Sequence, residues 1–131
     1  MKKQINKKLK IPSNLYVKWT EEKGYGVFTD KFIKKGEIIE TFYCIKASDP
    51  VSNSLHDYIY SYPKINSTEH VLALGFGSIY NHDDNYNAMW FDSKIPYHFD
   101  MIAQENINID DEICTYYGND YWSLKKKRDG K

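Results

Sequence analysis

Cysteine is scarce in this chain, long apolar runs are missing, and neither sign of charge is in excess. The two cysteines, Cys44 and Cys114, stand far apart with no second Cys or His beside either. That excludes a CxxC-type zinc site, and a lone pair without a secretion signal reads as two reduced thiols. No apolar run approaches the ~18 residues that a membrane span needs. The Lys-rich start is not followed by an apolar stretch, so no signal peptide is expected. Sustained heptads and internal repeats are also missing. With 41% hydrophobic residues and a mean hydropathy of −0.68, the core is modest, and three Trp, six Phe and twelve Tyr must supply much of it.

Eighteen basic residues against eighteen acidic ones give a formal net charge of zero over 131 residues, but the distribution is uneven. Ten of the basic residues lie within residues 1–10 and 125–131, where Asp129 is the one acid, so the ends carry +9 and the body carries −9. A duplex-DNA reader needs positive charge on its folded surface, so this arrangement argues against one. It suits a domain that receives a basic partner.

The length fits a single domain. Residues 1–14 read as a flexible basic lead-in, 15–122 as the folded domain, and 123–131 as a basic tail. From residue 15 the hydrophobic period is mostly two. Strands are expected at 16–19 and 26–28 around a polar turn at 21–24, then at 38–45, 71–76, 88–92, 97–103 and 113–117. Residues 49–53 and 81–87 read as loops, and 55–62 as either a strand or one or two helical turns ended by Pro63. Asp120 is placed to cap a short helix over 121–128. The fold class is therefore mostly β, in several small sheets with little helix.

Three constellations could carry chemistry. Lys23-Gly24-Tyr25-Gly26-Val27-Phe28 has two glycines one apart at the opening of a strand, where a backbone can approach a ligand closely. It is no dinucleotide fingerprint, since a third glycine and a βαβ context are missing. Tyr80-Asn81-His82, with Asn85 and Asn87 behind it, offers several donors and acceptors in a short stretch. Glu112-Ile113-Cys114-Thr115-Tyr116-Tyr117-Gly118 leads into Asp120-Tyr121-Trp122. Alternation puts Tyr117 on the side of Ile113 and Thr115, at a strand end where its hydroxyl can project into a cleft. Singly, a hairpin turn, an Asx-rich turn and a core tyrosine would explain them. The four histidines are too scattered to form a ligand set, so no metal site is expected.

In this order and spacing, the three constellations together with the 38–43 strand resemble the SET domain of protein lysine methyltransferases, over roughly residues 15–122. The likeness is closest to small stand-alone SET proteins of large DNA viruses infecting algae, through Ala73-Leu74-Gly75-Phe76-Gly77 and Tyr117-Gly118 with Asp120-Tyr121-Trp122. The resemblance implies a β-clip fold with a C-terminal pseudoknot, no metal, and S-adenosylmethionine as cofactor. Lys23, Gly24, Tyr25 and Gly26 would meet that cofactor through the first motif, while Asn81 and His82 would bind its amino-acid and adenine ends. Tyr117 would line the junction of methyl donor and amine, Tyr58 would form a second wall of a narrow lysine channel, and Trp122 would pack near the adenine or close the channel's end. The implied partner is a lysine-rich protein tail, with histone H3 foremost. A homodimer and nucleosomal DNA contacts by the basic ends are further expectations, as is an intracellular location (a host nucleus for a viral chromatin modifier).

Physical chemistry accounts for those residue types. A free lysine amine has a pKa of ~10.4, so about one in ~2,500 is neutral at pH 7. Methyl transfer needs the neutral amine, and an apolar tyrosine-lined channel beside a sulfonium lowers that pKa. A shift of ~3 units is worth about 4 kcal/mol. Cation–π attraction to the ring faces then tolerates a charged product. Three positions depart from the family pattern: Asp83-Asp84 where Ser-Cys is usual, Tyr86 in place of a proline, and Thr115 where a Phe or Tyr tunes the number of methyls. The alternative reading is a catalytically weak SET-like module that binds basic histone-type tails. A nucleic-acid-binding β domain is disfavoured because the positive charge lies outside the folded body.

Overall fold

The computed structural model describes residues 12–46, 59–64 and 68–116. Tyr58, Tyr117, Trp122, the expected 49–53 loop, the expected 121–128 helix and the basic tail lie outside the described residues, as does most of the lead-in. Nine strands and no helix make up the secondary structure of the described residues. They are β1 (Leu15–Thr20), β2 (Gly24–Thr29), β3 (Ile38–Lys46), β4 (Ile59–Tyr62), β5 (Glu69–Ala73), β6 (Asn81–His82), β7 (Ala88–Asp92), β8 (His98–Ala103) and β9 (Glu112–Thr115). One sheet runs β1-β2-β9-β6 and the other β4-β5-β3-β8-β7. The mostly-β reading with several small sheets therefore holds.

The larger sheet supplies a core whose aromatic side chains pack edge to face or tilted against one another. The Trp90 ring lies 5.0 Å from Tyr60 and 4.9 Å from Phe99, and Phe42 touches both Tyr60 and Phe99 at 5.8 Å. Offset and edge-on pairs of this kind add roughly 0.5–1.5 kcal/mol beyond their burial. Tyr60 brings a hydroxyl into this core and satisfies it by donating to the Gly77 carbonyl at 2.6 Å. Val27 from β2 and Ile113 from β9 are fully buried, which joins the smaller sheet to the same core.

Two expected elements come out differently. The strand over 71–76 ends at Ala73, because Gly75 takes a φ of +65° and the chain turns, with Gly77 N–H bonding back to Leu74 O. The 81–87 loop begins as strand: Asn81 and His82 pair in parallel with Cys114 and Thr115 of β9. A two-residue strand leaves no periodicity to read. The ambiguous 55–62 segment is strand from residue 59.

The 75–80 turn aims β6, and one buried carboxyl holds it. Glu40 is 5% exposed; its Oε2 accepts from Phe76 N–H at 3.0 Å and its Oε1 from the buried Tyr80 hydroxyl at 2.7 Å. A Cβ on Gly75 would lie 2.5 Å from Glu40 Oε2, so glycine is needed there for both space and conformation. Burial pushes the Glu40 pKa above its ordinary 4.5, and the two donors offset this only in part. A carboxyl whose folded pKa is raised favours folding in its protonated form. Its contribution is complete below the unfolded pKa near 4.5 and is lost as pH rises through the folded value. Glu40→Gln, whose amide can serve both neighbours, removes this dependence. Urea denaturation from pH 4.5 to 7.5 should show wild type losing stability relative to Glu40→Gln as pH rises; parallel curves would contradict this.

Candidate functional site

Strand β9 is the seam of the site. β2 pairs with it antiparallel on one side, with Val27 opposite Ile113 and Phe28 opposite Glu112. β6 flanks it on the other side. The Gly24–Gly26 segment and Asn81-His82, more than fifty positions apart in sequence, thereby come to opposite sides of one strand.

Asn81 ties the two together. Its Nδ2 donates to Tyr25 O at 3.1 Å and to Glu112 Oε2 at 2.8 Å. The Asn81 amide and the Glu112 carboxylate lie so close to Gly26 that a Cβ there would collide with both. Gly26 is therefore favoured by close approach, whereas the hairpin itself is set at its other end. There Thr20 Oγ1 donates to Gly24 O at 2.8 Å and accepts from Lys23 N–H at 3.0 Å. The Trp19 ring stands edge-on to Tyr25 at 5.1 Å, and both are exposed.

Behind β6, Asn87 acts as a clamp. Its Oδ1 accepts from Cys114 N–H at 2.9 Å, its Nδ2 donates to Glu112 O at 2.9 Å, and its own N–H reaches Cys114 O at 3.1 Å. One side chain thus continues the backbone ladder where β6 has ended. His82 Nε2 lies 2.8 Å from Asp84 Oδ1, and its ring lies 5.2 Å from Tyr116. Tyr86 reaches Tyr116 from the other direction at 5.8 Å, so the tyrosine that stands where a proline is usual joins an aromatic cluster beside His82.

The two acids that depart from the family pattern each have a partner. Asp83 Oδ2 meets Lys23 Nζ at 3.0 Å and Asp84 meets His82, while Asp83 Oδ1 accepts from Asn85 N–H at 2.9 Å. The Asn85 N–H and then Lys23 hold the Asp83 carboxyl below its ordinary range. Partial burial pulls the Lys23 ammonium downward, but Asp83, with Cys114 and Glu112 behind it, reverses the sign and leaves its pKa raised. Burial first and Glu112 second push the Cys114 thiol up to about 12, so it is no nucleophile at neutral pH.

Lys23, Gly24, Tyr25, Gly26, Asn81 and His82 therefore all gather along β9. Tyr58, Tyr117 and Trp122 are outside the described residues. Ile113, Cys114 and Thr115 are all buried, so β9 has no exposed face, and strict alternation does not separate its two sides. Thr115 is fully buried, its hydroxyl 4.0 Å from Met89 Sδ. Glu112 and Tyr116, named in the sequence only as parts of a motif, and Tyr86, noted only as a departure from the pattern, are the members to which sequence reasoning gave no role. The signal for Glu112 was its place at the head of the tyrosine motif, opposite the glycines once β2 and β9 pair.

A two-sheet β fold with a glycine-flanked strand and an Asn-His strand against one buried partner defines a recognisable class. The SET domain family model matches residues 24–118, and the chain belongs to that family. It is 31% identical over 121 residues to a histone-lysine N-methyltransferase specific for H3 lysine-37 from Schizosaccharomyces pombe, covering 86% of this chain and 78% of the relative. A crystal structure of a Plasmodium falciparum protein assigned to the histone methyltransferases superposes with a TM-score of 0.68 at 33% identity, over 83% of this chain and 96% of that one. Neither relative is viral.

The close approach at Gly26 makes a prediction. In Gly26→Ala the ends of Glu112 and Asn81 must move, which breaks their hydrogen bond at a cost of about 1 kcal/mol. Thermal unfolding should shift by only a few degrees, while the Asn81 side-chain amide resonances in NMR spectra move strongly. Unchanged Asn81 resonances would contradict the close packing.

Proposed function

We propose that this protein is an S-adenosylmethionine-dependent lysine N-methyltransferase acting on a basic protein tail, with histone H3 the substrate in view. The observation that supports this reading most is the Asn81 link from the Gly24–Gly26 backbone to Glu112 across β9, because it assembles two separate family motifs into one surface. Family membership and the two histone-methyltransferase relatives support it further.

The residues at hand fit the cofactor. Among the described residues Asn81 Oδ1 takes no hydrogen bond, which leaves an acceptor for an ammonium. The Glu112 carboxylate beside Asn81 favours a cation there. The bound cofactor would supply a methyl group on a positively charged sulfur. In this reading, the Gly24–Gly26 backbone and Asn81 hold its amino-acid end, and His82 with the Tyr116 ring faces its adenine. Tyr117 and Tyr58 are proposed to orient the neutral lysine amine and keep water from it. The excess of acid in the body draws the basic tail in, and the target lysine loses its proton on entering the dry channel. Action on a histone would place the protein in a nucleus.

Transfer of label from S-adenosylmethionine to histone H3 tests the reading. Wild type should transfer, Tyr117→Phe should lose at least about tenfold in kcat, and Asn81→Ala should chiefly raise the KM for the cofactor. Cofactor binding without transfer would favour the tail-binding module, and equal activity in all three would overturn the site. A second prediction concerns charge: raising salt from 50 to 500 mM should raise the KM for the H3 tail and leave kcat nearly unchanged. A salt-independent KM would remove the electrostatic part.

A further inference from the structure

Lys23 and Asp83 are 60 positions apart, and their side chains meet at 3.0 Å. Lys23 precedes β2 and Asp83 follows β6, and these are the two strands that flank β9. The pair therefore reaches over β9 from one neighbour to the other. Cys114 lies within that span, its Sγ 3.7 Å from Lys23 Nζ. Asp83 is fixed from its own side as well: its Oδ1 accepts from Asn85 N–H and its N–H donates to Thr115 O at 3.1 Å. The ammonium is thus anchored to a carboxylate that is itself anchored to β6 and β9. A serine, the usual residue of the family pattern at this position, is too short and carries no charge to do this.

The geometry points to Lys23 and Asp83 as a clasp that sets the spacing of the two cofactor-binding segments, so that Lys23 acts as a positioning residue and not as a contact for the cofactor's carboxylate. This assignment rests on the cofactor site proposed above and deepens it. A lysine whose ammonium is committed to Asp83 offers little to a second anion. The cofactor's carboxylate must then be met by backbone N–H groups of the glycine segment, which the clasp holds at a fixed distance from Asn81. The side chains are 28% and 43% exposed, so the pair can be broken without opening the core. The ion pair gives Asp83 a role in a working site.

Two measurements on the full chain test this. Calorimetric titration with S-adenosylhomocysteine compares wild type, Asp83→Ser, Lys23→Met and the double variant. Amide hydrogen exchange on the ligand-free proteins follows Tyr25, Asn81 and His82. The clasp predicts that each single variant weakens binding by roughly three- to tenfold and that the double variant is no weaker than the weaker single. Exchange at the three amides accelerates in all of the variants. If Lys23 instead contacts the cofactor, Asp83→Ser frees the ammonium and binding tightens, which overturns the proposal. Unchanged exchange together with unchanged affinity also overturns it. If wild type binds no S-adenosylhomocysteine, the functional reading fails and the positioning role falls with it. Faster exchange in the variants would then still mark the pair as a clasp between the two segments.

Discussion

A buried strand must satisfy its backbone amides on both edges, and most of the described site follows from how β9 does so. β9 is only four residues long, and Ile113, Cys114 and Thr115 are all buried. On one edge it takes an ordinary antiparallel neighbour, β2. On the other it takes two residues of parallel strand and then the side-chain amide of Asn87. Leaving such groups unpaired would cost about 1–3 kcal/mol each. The parallel pairing obliges the chain to leave β6, run through β7 and β8, and return. That path brings Asn81 and His82 against the glycine segment.

The polar chemistry around this seam is dense but largely satisfied. Asn81 with Glu112, Lys23 with Asp83, and His82 with Asp84 form three short polar contacts along it. Cys44 and Cys114 are both buried and free, with thiols pushed up to about 12. The tyrosines divide by burial. Tyr60 and Tyr80 bury their rings and spend their hydroxyls on Gly77 O and Glu40, whereas Tyr25, Tyr43 and Tyr86 remain exposed. An abundance of tyrosine thus serves packing and polar anchoring in one molecule, before any role in a channel is considered.

Period-two patterning made the larger sheet legible. Residues 88–92 form β7 as expected, with Ala88 and Trp90 buried on one face and Phe91 exposed on the other, and the 38–45 expectation falls within β3. At Ile113–Cys114–Thr115 patterning found the strand but not its faces, since all three residues are buried, and it failed where the element is too short to have a period, as at Asn81-His82. Gly75 was visible as a glycine, but not as the start of a turn held by Glu40, since a pairing 36 positions apart leaves no local trace. The candidate site was legible as motifs in order. Its connections were not: Glu112 beneath Gly26, Asn87 clamping β9 and Lys23 reaching Asp83 all depend on strand order. The Asp83-Asp84 departure could not be interpreted from sequence, because its partners Lys23 and His82 are identified only by the fold.

The central claim is that one surface along β9 gathers the cofactor-binding groups. Amide chemical-shift mapping by NMR during titration with S-adenosylhomocysteine tests it most directly. The account predicts shifts concentrated at residues 23–26, 81–83 and 112–116, with β3, β5 and β8 of the larger sheet little affected. Shifts centred on that larger sheet, with the β9 seam silent, would contradict it.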